Sequence, residues 1–176
     1  SDFNRRTFIL QGAGEVGFRF ARLAKELGAR IVACDTESRQ VERIRHEVGA
    51  TIVDTENIFT QAGDVFVPCA VGGILNDETI PVLQCPIISG PANNQLADPE
   101  RHGMMLMEKN ITYVVDFIGN AGGLIAAADE LLPGRHFNEE RVKRNIQRIA
   151  LRVARNLELA SAEKKSPHEI AIQTCD

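Results

Sequence analysis

Glycines at positions 12, 14 and 17 form a G-x-G-x-x-G pattern directly after the apolar run Phe8-Ile9-Leu10. That spacing suits one kind of chemistry, the holding of a dinucleotide. Gly12 permits a tight turn, Gly14 lets the backbone approach a pyrophosphate with no Cβ in the way, and Gly17 lets the following helix pack closely on the strand. The first N–H groups of that helix then face the phosphates. A glycine-rich strand-to-helix turn that binds nothing has the same local pattern, so its surroundings decide. The spacing predicts a helix from Glu15 to Leu27, with Val16, Phe20, Leu23, Ala24 and Leu27 on its inward stripe and Gly28 as its stop. A second strand, Arg30–Cys34, closes on Asp35, 18 residues past Gly17. A carboxylate there is placed to accept hydrogen bonds from the adenosine ribose. Together with Glu37 it repels a 2′-phosphate, which favours NAD over NADP; Arg39 is the nearby cation that argues the other way.

The elements that must position these residues alternate. Glu37–Val48 reads as a helix stopped by Gly49, followed by a strand at 51–53, a brief helical segment over 57–61 and strands at 65–67, 86–89 and 111–115. A helix covers roughly 100–109. This is the pattern of an α/β fold: a Rossmann-like, doubly wound, mostly parallel sheet with helices on both faces and C-terminal helices. Three segments follow predicted strands: residues 68–80, 90–96 and 120–125. In an open sheet of this kind the loops at the carboxyl ends of the strands form the ligand crevice, so all three are expected to line one cleft with the glycine turn.

Past the turn pair Pro133-Gly134, residues 138–160 read as one long helix with Val142, Ile146, Ile149, Val153 and Leu157 on a stripe. Its other face carries Arg141, Lys143, Arg144, Arg148, Arg152 and Arg155, read as a solvated face or a contact with a further domain rather than a polyanion site. Ser166-Pro167-His168-Glu169 makes a capping-box start for a final short helix. The expected division is a dinucleotide-binding domain over 1–135 and a helical extension over 136–176 packing on it.

Composition excludes several classes. The 176 residues suffice for one α/β domain with a substantial core, 44% hydrophobic and 25% charged content is ordinary for a globular protein, and a net charge of -4 gives no case for nucleic acid. No apolar run approaches the ~18 residues of a membrane helix and no signal-peptide pattern opens the chain, so a cytoplasmic protein is expected. Cys34, Cys69, Cys85 and Cys175 are widely spaced, with no C-x-x-C pair and no clustering with histidines, and read as free thiols rather than metal ligands.

The segments P-C-A-x-G-x-x-x-N-D-E-T (68–79), A-N-N-Q-L (92–96), R-H-G (101–103) and N-A-G-G (120–123) occur in an order and at a spacing that resemble the NAD-binding, C-terminal domain of the glutamate/leucine/phenylalanine/valine dehydrogenase family, nearest its leucine and valine members. The resemblance implies an NAD-dependent amino-acid dehydrogenase, which oxidatively deaminates an L-amino acid to a 2-oxo acid and ammonia. It places Gly12, Gly14, Glu15, Val16 and Gly17 at the pyrophosphate, Asp35 at the adenosine ribose, Cys69 and Ala70 along the cofactor cleft, and Asn93 and Asn120 at the nicotinamide half. An amide offers a donor and an acceptor, as ribose hydroxyls and a carboxamide require, although asparagine also stabilises loops through its own backbone. Ala127 falls at the family's substrate side-chain pocket, where a small residue leaves room for a branched-chain or aromatic substrate. Pro91, Val115 and Gly119 depart from the family's usual residues. The acid–base lysine and aspartate belong to the family's other domain, so no catalytic residue is expected in this chain, which is expected to bind NAD without turnover. The parent protein is expected to be a homo-oligomer. The alternative is a free-standing NAD-sensing module with no catalysis.

Overall fold

The computed structural model describes residues 3–131 and 136–174, and holds six parallel strands in the order β3-β2-β1-β4-β5-β6. The strands are β1 (Thr7–Gln11), β2 (Arg30–Cys34), β3 (Thr51–Ile52), β4 (Val65–Pro68), β5 (Ile87–Ile88) and β6 (Thr112–Tyr113). Helices α1 (Glu15–Glu26), α2 (Ser38–Val48), α3 (Thr79–Val82), α4 (Pro99–Glu108), α5 (Asp116–Gly119), α6 (Gly122–Leu131), α7 (Glu139–Glu163) and α8 (Pro167–Gln173) connect and cover them. This is the doubly wound α/β architecture expected from the alternation of elements. Its strand order reverses between β1 and β4, and the chain winds outward from that point in both directions.

Buried parallel strands read as apolar runs because both faces are covered. In β1, Phe8 and Leu10 join one buried cluster with Phe18, Ala21, Ala24, Ile31 and Ile44 beneath α1 and α2. Ile9, which points to the opposite face, joins Phe66, Leu75, Ile80, Ile88, Leu106 and Tyr113. The period-two alternation of one strand thus feeds both hydrophobic layers.

The face that α1 turns to the sheet differs from the expected stripe. Gly17, Phe18, Ala21 and Ala24 are buried, whereas Val16, Leu23 and Leu27 are more than half exposed. The reason is steric: a Cβ on Gly17 would stand 2.3 Å from the Gly12 carbonyl oxygen, so the helix is seated closely on the glycine turn and the buried face runs through Gly17, Phe18, Ala21 and Ala24. Val16, Leu23 and Leu27 are rotated outward. α1 and α2 stop where expected, with Gly28 and Gly49 at positive φ.

Further along, α3 and α5 are single-turn helices absent from the sequence reading, so Asn120 follows α5 rather than a strand. Pro133 and Gly134, and Cys175, lie outside the described residues. On α7, Val142 is buried and Ile149, Val153 and Leu157 are partly covered, but Ile146 is exposed and the polar Asn156 is buried instead. Arg141 departs from the expected solvated face: its guanidinium pairs with Asp129, which is 5% exposed, and it donates to the His136 carbonyl at 3.1 Å. That pair ties the end of α6 to the start of α7. Ser166 caps α8 by accepting from the Glu169 N–H, and Gly103 of α4 lies where a Cβ would stand 3.1 Å from the Ser166 hydroxyl.

The close seat of α1 predicts that Gly17→Ala costs about 2–3 kcal/mol by overpacking and lowers Tm by roughly 4–10 °C. Thermal denaturation followed by circular dichroism measures it, and an unchanged Tm would contradict the packing described.

Candidate functional site

At the carboxyl edge of the sheet, the loop after β1 meets the loop after β4. Gly12 has φ +99°, and a Cβ there would lie 2.8 Å from the Ala70 Cβ and 3.0 Å from the Ala70 nitrogen. Neither the dihedral nor the space admits a side chain. The Cys69 N–H donates to the Gln11 carbonyl at 2.8 Å and the Gly12 N–H to the Cys34 carbonyl at 3.0 Å, which locks the ends of β4, β1 and β2 in one row. Gly14 is different: a Cβ added to it meets nothing within 4 Å. It is also the N-cap of α1 and makes no side-chain capping bond, so the first N–H groups of a 12-residue helix open onto free space. Backbone donors, a helix dipole and an uncrowded approach together fit a pyrophosphate.

Asp35 closes this cradle at the end of β2. Its carboxylate accepts from the Ala13 N–H at 2.6 Å and from the Glu37 N–H at 2.9 Å. It therefore shapes the glycine turn while each oxygen keeps a lone pair for a hydroxyl. Arg39 is exposed and makes no ion pair among the described residues. Arg43 is committed elsewhere: it pairs with Glu15 at 3.0 Å and lies over the Phe18 ring at 3.7 Å. Arg19 and then Arg43 hold the Glu15 carboxyl below its ordinary range. What Glu15 and Val16 can offer an anion is backbone N–H, since the Glu15 carboxylate is paired on the surface and the Val16 side chain is 58% exposed.

Cys69 is half-buried behind the turn, and its Cβ would come within 3.2 Å of a Cβ on Gly17. Burial pushes its thiol up to about 12 and those of Cys34 and Cys85 to about 11, so none is an activated nucleophile at neutral pH. Ala70 is exposed at the crevice edge.

The remaining loops are bound to this row by their own hydrogen bonds. The Gly73 N–H donates to the Asn94 carbonyl at 2.7 Å, and Leu75 exchanges backbone bonds with Gln95 and Ala97, which joins the loops after β4 and β5. The Asn120 amide nitrogen donates to the Asn93 amide oxygen at 2.6 Å and to the Pro91 carbonyl at 3.2 Å, which joins the segment after β6. Among the described residues, the Asn93 amide nitrogen and the Asn120 amide oxygen make no hydrogen bond, so one donor and one acceptor stay available at the crevice. Gly12, Gly14, Glu15, Val16, Gly17, Asp35, Cys69, Ala70, Asn93 and Asn120 thus all lie at the carboxyl edge of one sheet. Ala127 stands on α6, exposed.

Sequence reasoning missed the residues that hold these loops. Gln95, fully buried, donates its side-chain nitrogen to the Gly90 and Ala92 carbonyls at 2.9 Å, and its N–H reaches the buried Asp116 carboxylate at 3.3 Å. His102 is 3% exposed and accepts at Nδ1 from the Asp98 N–H at 2.8 Å. Its proton therefore sits on Nε2, which faces Asp77 at 3.5 Å, while Arg101 pairs with the same carboxylate at 2.8 Å. The segments 68–79 and 101–103 were visible as motifs, but no local spacing signals that Asp77 meets His102.

Residues 35–174 match the sequence model of the glutamate/leucine/phenylalanine/valine dehydrogenase family. Leucine dehydrogenase of Thermoactinomyces intermedius is 39% identical over 158 residues, which is 90% of this chain and 42% of that protein. Phenylalanine dehydrogenase of Bacillus thermotolerans is 37% identical over 180 residues, 99% of this chain and 46% of that protein. The structure of L-tryptophan dehydrogenase from Nostoc punctiforme superposes with a TM-score of 0.92 at 34% identity, covering 97% of this chain and 51% of that one. The chain spans less than half the length of these two curated relatives.

The elevated Cys69 thiol predicts that iodoacetamide at pH 8 alkylates it on the order of 10³-fold more slowly than an ordinary free thiol, because the thiolate fraction falls in that proportion. Mass spectrometry of a labelling time course gives the rate; labelling at the ordinary rate would contradict the burial described.

Proposed function

Because the chain belongs to the glutamate/leucine/phenylalanine/valine dehydrogenase family, we propose that it is the NAD-binding part of an amino-acid dehydrogenase that deaminates a branched-chain or aromatic L-amino acid to a 2-oxo acid. In this reading residues 1–135 form the dinucleotide-binding unit and 136–176 its helical extension. The observation that carries it is the meeting of the glycine turn, Asp35 and both asparagine loops at one sheet edge, with the α1 N-terminus uncapped and Gly14 open.

Each residue then has a task. The backbone of Gly12, Gly14, Glu15, Val16 and Gly17 binds the pyrophosphate, and Asp35 accepts from the adenosine ribose hydroxyls. The negative charge of Asp35, with Glu37 two residues on, disfavours a 2′-phosphate, which makes NAD the cofactor. Cys69 and Ala70 wall the cleft with an uncharged surface. The free amide nitrogen of Asn93 and amide oxygen of Asn120 orient the nicotinamide half. When bound, the cofactor supplies the hydride acceptor. Ala127, on the helix that begins at Gly122, leaves room for a bulky apolar substrate side chain. The cofactor-cleft residues are backbone groups, amides, a ribose-binding carboxylate and a thiol held far above neutral, so the proton transfers of deamination fall to groups elsewhere in the whole enzyme. A free-standing sensor would need no polar pair aimed at the nicotinamide half.

Calorimetric titration tests the cofactor. NADH is expected to bind at least about tenfold more tightly than NADPH, a difference of ~1.4 kcal/mol. Gly14→Ala should weaken NADH about tenfold or more with Tm held within roughly 2 °C, because its Cβ meets the ligand and not the protein. Tighter NADPH binding, or an unaffected Gly14→Ala, would overturn the assignment. The purified chain should produce no NADH from leucine or phenylalanine, and measurable turnover would contradict the placing of acid–base chemistry outside it.

A further inference from the structure

Phe117, Ile118, Leu159 and Ala171 floor a second cleft, of about 510 Å³, between α5, α7 and α8. Ala121, Asn156 and Thr174 line it too, with Arg152 and Arg155, which are both exposed. The volume lies in the range of small-molecule sites. The cleft shares no residue with the proposed cofactor contacts.

Its polarity is one-sided. The Asn156 amide nitrogen is committed to the Pro167 carbonyl at 3.0 Å, and the Thr174 hydroxyl to the Ile170 carbonyl at 2.9 Å. Among the described residues no carboxylate lines the cleft. Three cations in the first turns of α7 are neutralised, Lys143 by Glu139, Arg144 by Glu140 and Arg141 by Asp129, whereas Arg148, like Arg152 and Arg155, makes no ion pair among the described residues. Among the described residues Arg152 and Arg155 make no ion pair, although the chain as a whole carries net charge -4. Three residues apart on one helix, two such guanidiniums repel each other, and an anion between them reverses the sign of that interaction. Beneath them Phe117 leaves 40% of its surface open.

We propose that this cleft is a binding site for an amphipathic monocarboxylate, with its aliphatic or phenyl body on Phe117, Ile118 and Leu159 and its carboxylate across Arg152 and Arg155. A bare anion leaves the apolar floor wet, and a neutral apolar molecule leaves the guanidiniums unpaired; the carboxylate with an apolar body satisfies both.

Titration of the ¹⁵N-labelled chain with 4-phenylbutanoate tests this, since that acid has no 2-amino or 2-oxo group and is no dehydrogenase substrate. The expected result is saturable shifts at the Ala121, Arg155 and Ala171 amides with a Kd below about 5 mM, and at least about fivefold weaker binding of 4-phenylbutanamide and of inorganic phosphate. Arg152→Gln/Arg155→Gln should lose about tenfold or more in affinity for the acid while NADH binding in the same samples stays unchanged. Failure to saturate, equal binding of the amide or of phosphate, or full affinity in the double variant would each overturn the site.

Discussion

The contact on which the rest of the molecule depends is the meeting of the β1 and β4 loops at the point where the strand order reverses. Gly12 abuts Ala70 at a distance that excludes any side chain, and Gly17 abuts the Gly12 carbonyl. The first contact sets the mouth of the crevice. The second presses α1 onto the sheet, turns Phe18, Ala21 and Ala24 inward and aims its uncapped N-terminus along the same edge. The proposed phosphate cradle and the helix packing are therefore one steric fact. It has an energetic side too, because Asp35 must hold the Ala13 N–H to keep the turn in place, so the group proposed for the ribose also builds the glycine turn.

From that centre the edge extends by relay rather than by a single core. The loop after β4 bonds the loop after β5 through Gly73 and Leu75, and the loop after β5 bonds the segment after β6 through Asn93 and Asn120. Behind them Gln95, Asp116 and the His102–Asp77–Arg101 cluster fix the loops with buried or charge-assisted bonds. Loops without secondary structure of their own need such partners to hold a binding geometry, since their backbone groups are not satisfied by a ladder. The family's sequence model matches this edge from Asp35 onward, over residues 35–174.

Much of this was legible in the sequence, and the failures are physical. The glycine turn, the Arg30–Cys34 strand, the Gly28 and Gly49 stops and the Ser166 cap depend on local geometry, and the structure has them where the spacing put them. The stripe of α1 differs from the pattern of its apolar residues because the contact at Gly17 fixes which face meets the sheet: Ala24 stays inward with Phe18 and Ala21, while Val16, Leu23 and Leu27 face out. Arg141 departs from its run for a different reason: a charged residue in a basic run looks solvated until a buried carboxylate 12 residues earlier, at Asp129, claims it. The short helices α3 and α5, of four residues each, have too few positions to show a period. The pairings Asn93–Asn120 and Asp77–His102 join segments more than 20 residues apart, and only the assembled sheet brings them together.

The central claim is that one dinucleotide engages every loop of this edge at once. Heteronuclear NMR of the ¹⁵N-labelled chain titrated with NADH, compared with AMP, measures it most directly. The account predicts that Gly14, Ala70, Asn93 and Asn120 amides shift with a single common Kd for NADH, while AMP moves only those near Asp35. Shifts confined to residues 12–17 and 35 with NADH, leaving Asn93 and Asn120 still, would contradict it.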